Sequence, residues 1–240
     1  MDTLVCMRIR RANERGFTDL GWLKSRHSFS FGDYYDPRHV GFKSLRVIND
    51  DWVEAGEGFG MHGHRDMEIL TLVLRGELEH QDSLGHKQVL RPGEVQVMSA
   101  GRGIRHSERN PSATEPAHFL QIWIEPHTLG VAPRYEQRAF PLQACQNSWC
   151  ALASSCARDS GSFEIHQNTT VLYGAVLDGG TLEHAVRVGE SAWLHVIDGE
   201  VRINECTLRS GDAASVEEVC VLECRGISEK SSLLLFAFHE

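Results

Sequence analysis

The chain has 240 residues, of which 41% are hydrophobic and 24% charged, and its formal net charge at pH 7 is −9. This length allows one large β domain or two ordinary domains, and the acidic balance argues against direct nucleic-acid binding, which needs cationic side chains to neutralise phosphates. The sequence contains no apolar run of the roughly 18 residues that a membrane span requires and no secretory signal pattern, so we expect a cytoplasmic protein without a membrane partner.

The cysteines predict reduced thiols rather than a disulfide framework, because their number is odd and no C-x-x-C pair occurs. Three of them lie close enough in sequence to suggest a second metal site, but their spacing matches no common zinc pattern. The seven positions are Cys6, Cys145, Cys150, Cys156, Cys206, Cys220 and Cys224.

Short strands separated by turns dominate the chain from Leu45 onward. The run 45–48 predicts a strand, and Asn49-Asp50-Asp51 predicts an acidic turn after it. No segment before residue 125 shows a long helical period, so the pattern is typical of a β-barrel or sandwich. Further strands are predicted at 69–74, 78–82, 89–90, 95–98 and 119–124.

Two short clusters, His62-Gly63-His64 and His106-Ser107-Glu108, carry the strongest chemical signal. Residues i and i+2 of a strand point to the same face, so each pair can direct both side chains into one cavity. Two such strands facing each other would build a site for a first-row divalent metal, with positions left open for substrate or dioxygen. Glu68 lies on the same strand face as His64, so spacing alone leaves Glu68 and Glu108 as alternative oxygen ligands.

A weak internal repeat links the two halves of the chain. Residues 73–78 resemble 196–201, and 90–94 resemble 208–212 at nearly the same offset, which predicts two related barrels in tandem. The second copy has no H-x-H pair. We place the domains at residues 1–130 and 131–240, with a linker opening the second range and short helical turns around 131–138.

These motifs resemble the pirin family of the cupin superfamily. The first cluster fits the cupin pattern G-x5-H-x-H-x3-E through Gly56, His62, His64 and Glu68. The second cluster departs from the general cupin spacing, and its H-x-E form is typical of pirins. Segments from 12–16 to 133–137 also look like bacterial pirin-like proteins of the quercetin 2,3-dioxygenase type, so the resemblance covers essentially the whole chain.

The resemblance implies an all-β bicupin, with two tandem antiparallel β-barrels of the double-stranded β-helix or jelly-roll type and few short helices. It implies that the first barrel binds one divalent transition metal through His62, His64, His106 and Glu108. Glu68 would then contact these ligands without binding the metal itself. We expect Fe(II), and Cu, Mn, Ni, Co and Zn are alternatives because imidazole–carboxylate sites accept several ions.

The resemblance also implies an enzyme that uses dioxygen to open the central ring of flavonols such as quercetin. Glu108 would take the flavonol hydroxyl proton as a general base. The alternatives are a non-enzymatic metal-binding pirin that regulates a transcription factor or metabolic enzyme, and a different cupin activity on another small molecule. The side chains that either wall a flat aromatic substrate or belong to the core of the barrel are Phe29, Phe31, Phe59 and Met61.

Overall fold

The computed structural model describes residues 7–156 and 161–239, and Cys6 lies outside the described residues. The predicted all-β class is confirmed. The helical elements of the described ranges are two short 3-10 helices, η1 (Ala12–Glu14) and η2 (Leu142–Cys145). The strands are β1 (Met7–Arg10), β2 (Gly16–Asp19), β3 (Leu23–His27), β4 (Leu45–Val53), β5 (Gly58–His64), β6 (Glu68–Arg75), β7 (Leu78–Asp82), β8 (Lys87–Leu90), β9 (Glu94–Ser99), β10 (Ile104–Arg109), β11 (Ala117–Ile124), β12 (Arg134–Ala139), β13 (Trp149–Ser154), β14 (Phe163–Glu164), β15 (Thr169–Leu177), β16 (Thr181–Val186), β17 (Glu190–Asp198), β18 (Glu200–Ile203), β19 (Cys206–Arg209), β20 (Ala213–Val216), β21 (Cys220–Gly226) and β22 (Lys230–His239).

The chain divides into two compact units. The first unit comprises Arg15–Phe140 and Ile165–Gln167, and the second comprises residues 7–14, Pro141–Glu164 and 168–239. This division differs from the predicted ranges 1–130 and 131–240. Residues 7–14 belong to the second unit, whereas 131–140 and Ile165–Gln167 belong to the first. The reason is strand pairing, because β12 pairs with β9 in the first unit, whereas β1 pairs with β20 in the second.

The first unit consists of two antiparallel sheets. The larger sheet has the order β12-β9-β6-β11-β4-β3-β2, and the smaller has the order β5-β10-β7-β8. Buried apolar side chains of the two sheets pack together, as in other double-sheet folds. One such cluster contains Leu23, Val53, Val73, Leu78, Leu90, Ala117 and Phe119.

The second unit repeats this topology. Its sheets have the orders β1-β20-β17-β22-β15-β13-β14 and β16-β21-β18-β19, so β17 takes the place that β6 has in the first unit. The repeated glycines lie at equivalent turns, with a φ of 75° at Gly76 and 85° at Gly199. A side chain would be strained in this left-handed region, which explains why the repeat retains glycine there.

Two local predictions are wrong. Residues 134–139 form strand β12 instead of helical turns, because their backbone pairs with β9 in continuous register. Asn49-Asp50-Asp51 does not form a turn but continues β4, which is paired with β11 on one side and β3 on the other. In both places, hydrogen bonds to distant strands outweigh the local turn preference.

The expectation of reduced thiols is corrected at one pair, because Cys145 and Cys150 form a disulfide. The chain around η2 brings their Cα atoms to 5.6 Å, within the range that a disulfide spans. The described cysteines that remain free are Cys156, Cys206, Cys220 and Cys224. In the described ranges, no helix has the length and apolarity needed to cross a membrane.

Candidate metal centre

Strand β10 lies between β5 and β7 in the smaller sheet of the first unit, and this position assembles the candidate site. His106 of β10 pairs with His62 of β5, and Ile104 pairs with His64. The three imidazole centroids lie 4.5 to 4.8 Å apart. One ligand nitrogen from each ring lies within 4.8 Å of the other two. The two clusters therefore meet on neighbouring strands of one sheet.

The imidazole nitrogens at this cluster suit a cation. His62 Nδ1 donates to the carbonyl oxygen of Gly60 at 2.7 Å, which leaves its Nε2 lone pair free to coordinate. Burial, followed by the charge of His62, lowers the pKa of His64 to about 4. Burial and the neighbouring histidines lower the pKa of His106 to about 2. Neutral imidazoles with available lone pairs are the form that binds divalent metals.

Glu108 is buried beside this cluster with one oxygen engaged and one free. Gln121 Nε2 donates to Glu108 Oε2 at 2.7 Å, and Thr71 donates to Gln121 Oε1 at 2.8 Å, which orients the amide. Burial raises the pKa of Glu108 to about 7, although the hydrogen bond from Gln121 opposes the shift. The second oxygen, Oε1, is buried without a hydrogen-bond partner.

The donor set fits a divalent cation. Glu108 Oε1 and His106 Nε2 are both buried and lack a partner among the described residues, and buried polar atoms are almost always satisfied. Among the described residues, Glu108 forms a second group with His80 and His106, whose ligand atoms lie within 4.8 Å of one another, and is not grouped with His62 and His64. A cation at this position would satisfy acceptors that the protein itself leaves unpaired.

Glu68 is engaged elsewhere in the first unit. Its Oε2 accepts a hydrogen bond from Ser99 at 2.7 Å, and its Oε1 lies 3.1 Å from Nδ1 of His166. These contacts do not involve the three clustered imidazoles. Glu68 is expected to support the metal ligands, but among the described residues no hydrogen bond joins it to His62, His64 or His106.

A cavity of about 350 Å³ opens beside the imidazoles, which is in the usual range for a small-molecule site. Phe31 and Phe59 line it, and Trp123 completes this aromatic side. The predicted wall is corrected at two positions. Phe29 is buried, Met61 is 46% exposed, and neither is among the described residues that line the cavity.

The cavity is also lined by polar side chains that the sequence analysis missed. These are Ser25 and His27 of β3, with Asn49 and Asp51 of β4. His27 Nδ1 donates to Asn49 Oδ1 at 2.8 Å. The i, i+2 spacing within each pair is the available signal, but the composition of the acidic run 49–51 is that of a turn.

The buried carboxyl of Asp51 is expected to make the free energy of unfolding depend on pH. Burial raises the pKa of its carboxyl from 3.8 to about 7, although a hydrogen bond from Ser25 opposes the shift. Between these values the unfolded chain has released the proton and the folded protein still binds it, so the free energy of unfolding falls as pH rises from about 4 to about 7. We expect Asp51→Asn to stabilise the metal-free protein at pH 8 relative to the parent by on the order of a few kcal/mol, measured by urea unfolding.

The stability gain from Asp51→Asn should shrink towards pH 4, where the parent carboxyl is protonated in both states. Asp198→Asn is the control, because Asp198 is exposed at the end of β17. A gain at Asp51 that does not change with pH would contradict the assigned burial effect.

The chain matches known families over both of its units. The family model described as Pirin matches residues 8–124, and the model described as Quercetinase C-terminal cupin domain matches residues 151–237. A protein of Escherichia coli K12 named quercetin 2,3-dioxygenase is 47% identical over 228 residues, which are 95% of this chain and 96% of the relative.

Solved structures agree with these matches. The crystal structure of YhhW from Escherichia coli aligns with a TM-score of 0.92 at 45% identity, covering 98% of this chain and 99% of that one. A crystal structure of bacterial pirin YhhW from the same organism in complex with nickel(II) aligns with a TM-score of 0.91 at 46% identity, covering 97% and 99%.

Proposed function

The chain belongs to the pirin family of cupin proteins, and we propose that it is a metal-dependent dioxygenase that opens the central ring of flavonols such as quercetin. The observation that carries this proposal is the grouping of three imidazoles, with the unpaired, buried Oε1 of Glu108 near His106, at a cavity lined in part by aromatic side chains. The name of the Escherichia coli relative supports the same substrate class.

The residues that would hold the metal are His62, His64, His106 and Glu108. A divalent transition metal held by these residues would supply a Lewis acid that favours the deprotonated flavonol, with coordination positions open for dioxygen. We propose Fe(II) as the ion in this chain. The nickel(II) bound in the YhhW complex supports divalent-metal binding in the family without identifying the native ion.

The cavity walls would orient a flat polyphenol. Trp123 and Phe31 are in edge-on contact with their centroids 5.4 Å apart, and Phe59 lines the same cavity. Aromatic side chains offer large apolar contact to a ring system.

Glu108 is the proposed general base. Its Oε1 would accept the proton of the flavonol hydroxyl, while Gln121 holds Oε2 in place. Burial raises the pKa of Glu108 to about 7 in the metal-free protein, and a cation held by the same carboxylate would favour its ionised form, which is the form that accepts a proton.

The direct test is oxygen uptake with quercetin, together with detection of carbon monoxide, after loading the protein separately with Fe(II), Cu, Mn, Ni, Co and Zn. Turnover with at least one ion, and its loss in His62→Ala, supports the proposal. If a metal-loaded, folded protein shows no turnover with any ion, the dioxygenase proposal is overturned, and the regulatory role with a protein partner becomes the next hypothesis to test.

We expect Glu108→Gln to retain metal through the three imidazoles, since three protein ligands suffice at catalytic sites. Its turnover should fall by about 10²- to 10⁴-fold, because glutamine cannot accept the hydroxyl proton. Steady-state oxygen uptake per bound metal measures this effect. Glu79→Gln, on the adjacent strand β7, is the control, and wild-type turnover in Glu108→Gln would exclude the general-base role.

A further inference from the structure

A second pair of polar side chains lies behind the imidazole cluster. His80 and Asp82, on β7, pair in register with Glu108 and His106 of β10. The side chains of both residues are fully buried. His80 Nε2 lies 3.1 Å from Asp82 Oδ2, and His80 Nδ1 lies 3.4 Å from His106 Nδ1. A buried chain of hydrogen bonds therefore runs from Asp82 through His80 to His106.

The contacts of Asp82 determine which atom donates and which accepts in each hydrogen bond of this chain. Its carboxylate also accepts from the backbone N–H groups of Leu84 and His86, at 2.9 and 3.1 Å, and from the His86 ring at 2.9 Å. A carboxylate in this role only accepts, so Nε2 of His80 carries the hydrogen.

The tautomer of His80 then determines that of His106. In a neutral His80 with its hydrogen on Nε2, Nδ1 has a lone pair and accepts. Of the two facing Nδ1 atoms, the one that donates must therefore belong to His106. The lone pair of His106 is consequently on Nε2, the atom that is buried without a partner among the described residues.

Aromatic packing holds the middle ring of the chain. His80 stacks on Tyr135 with centroids 4.2 Å apart and an interplanar angle of 17°. The Tyr135 hydroxyl donates to Gln137 at 2.8 Å, which restrains the tyrosine in turn. Rotation of the His80 ring would break this stacking and both of its hydrogen bonds.

We propose that His80 and Asp82 are positioning residues for the metal centre, which fix the tautomer and ring plane of His106 so that its Nε2 lone pair faces the other two imidazoles. Ligating histidines usually donate their second N–H directly to a carboxylate or carbonyl group. Here an additional imidazole stands between the carboxylate and the ligand. The inference rests on the part of the proposed function that concerns metal binding, and it does not depend on flavonol turnover.

The test measures metal affinity by competition with a chromophoric chelator, using Co(II) and Zn(II). We expect His80→Phe, which keeps an aromatic ring beside Tyr135 but cannot accept from His106, to weaken binding by about 10- to 100-fold. His80→Gln should recover most of the affinity, because its amide can accept from His106 and donate to Asp82. His86→Gln is the control, since His86 contacts Asp82 but lies outside the chain to His106.

The second readout is the tautomer of His106 in the metal-free protein, observed by long-range ¹⁵N–¹H NMR of the histidine rings. We expect the hydrogen on Nδ1 in the unsubstituted protein. A hydrogen on Nε2 overturns the proposal, and this measurement stands even if His80→Phe fails to fold.

Two affinity results would also overturn the proposal. Unchanged affinity in a folded His80→Phe would show that the chain has no influence on the metal. A loss as large as that of His62→Ala would make His80 a ligand instead of a positioning residue. The two proposals can also fail separately. If the unsubstituted protein binds metal without flavonol turnover, and His80→Phe weakens that binding, the positioning role is supported and the dioxygenase activity is excluded.

Discussion

Replacing His106 with alanine is expected to abolish stoichiometric metal binding, and oxygen uptake with it. His106 is fully buried at the centre of the site and contacts the rings of both His62 and His64. His106 is the residue that the group with His62 and His64 shares with the group formed by His80 and Glu108, so its loss leaves no three of these ligand atoms together among the described residues. Since loss of a supporting residue alone costs about 10- to 100-fold in metal affinity, loss of a ligand should exceed about 100-fold.

Elemental analysis of the purified protein and chelator competition would measure this effect. His118→Ala is the matched control, because His118 lies in the same unit but stacks on Trp52 and binds Asp50 instead of the cluster. A folded His106→Ala protein that still binds one equivalent of metal at wild-type affinity would exclude His106 as a ligand.

Gly58→Ala is expected to lower both stability and metal affinity, whereas Gly60→Ala should change neither appreciably. A Cβ atom at Gly58 would lie 2.3 Å from the carbonyl oxygen of Glu108 and 2.5 Å from Cα of Arg109. Both are backbone atoms of the paired strand β10, so the strands must separate locally. Overpacking of this kind costs about 1–3 kcal/mol, and the shift would displace Glu108 from the cluster.

Gly60 is a closely matched control, because it lies on the same strand and a Cβ atom there would meet nothing within 4 Å. We expect its substitution to alter the free energy of unfolding by less than about 0.5 kcal/mol, as for other open surface positions. Urea unfolding and chelator competition would compare the two variants. Equal effects at both positions would contradict the close approach of β5 and β10.

The periodicity of the sequence determined the fold class and the candidate cluster. H-x-H and H-x-E each place two side chains on one face of a strand, whatever the strand pairs with. The alternation of short apolar runs with glycine turns likewise predicts paired sheets, and the two repeated turns predict a second, related unit. The strand motifs depend on neighbours a few residues apart, and the repeat depends on likeness between two segments, so both are visible in the linear chain.

The tertiary structure alone decided which polar residues share the site. Asn49 and Asp51 resemble turn residues by composition, yet pairing of β4 on both sides keeps them in a strand that lines the cavity. Glu68 has the cupin spacing, but its carboxylate binds Ser99 and His166.

The role inferred for His80 arises in the same way, because it depends on β10 lying between β5 and β7. The order of strands across a sheet follows from pairings between residues far apart in the chain and from the burial that they permit. Local sequence patterns record neither of these, and for this reason the motif could be found in the sequence while its surroundings could not.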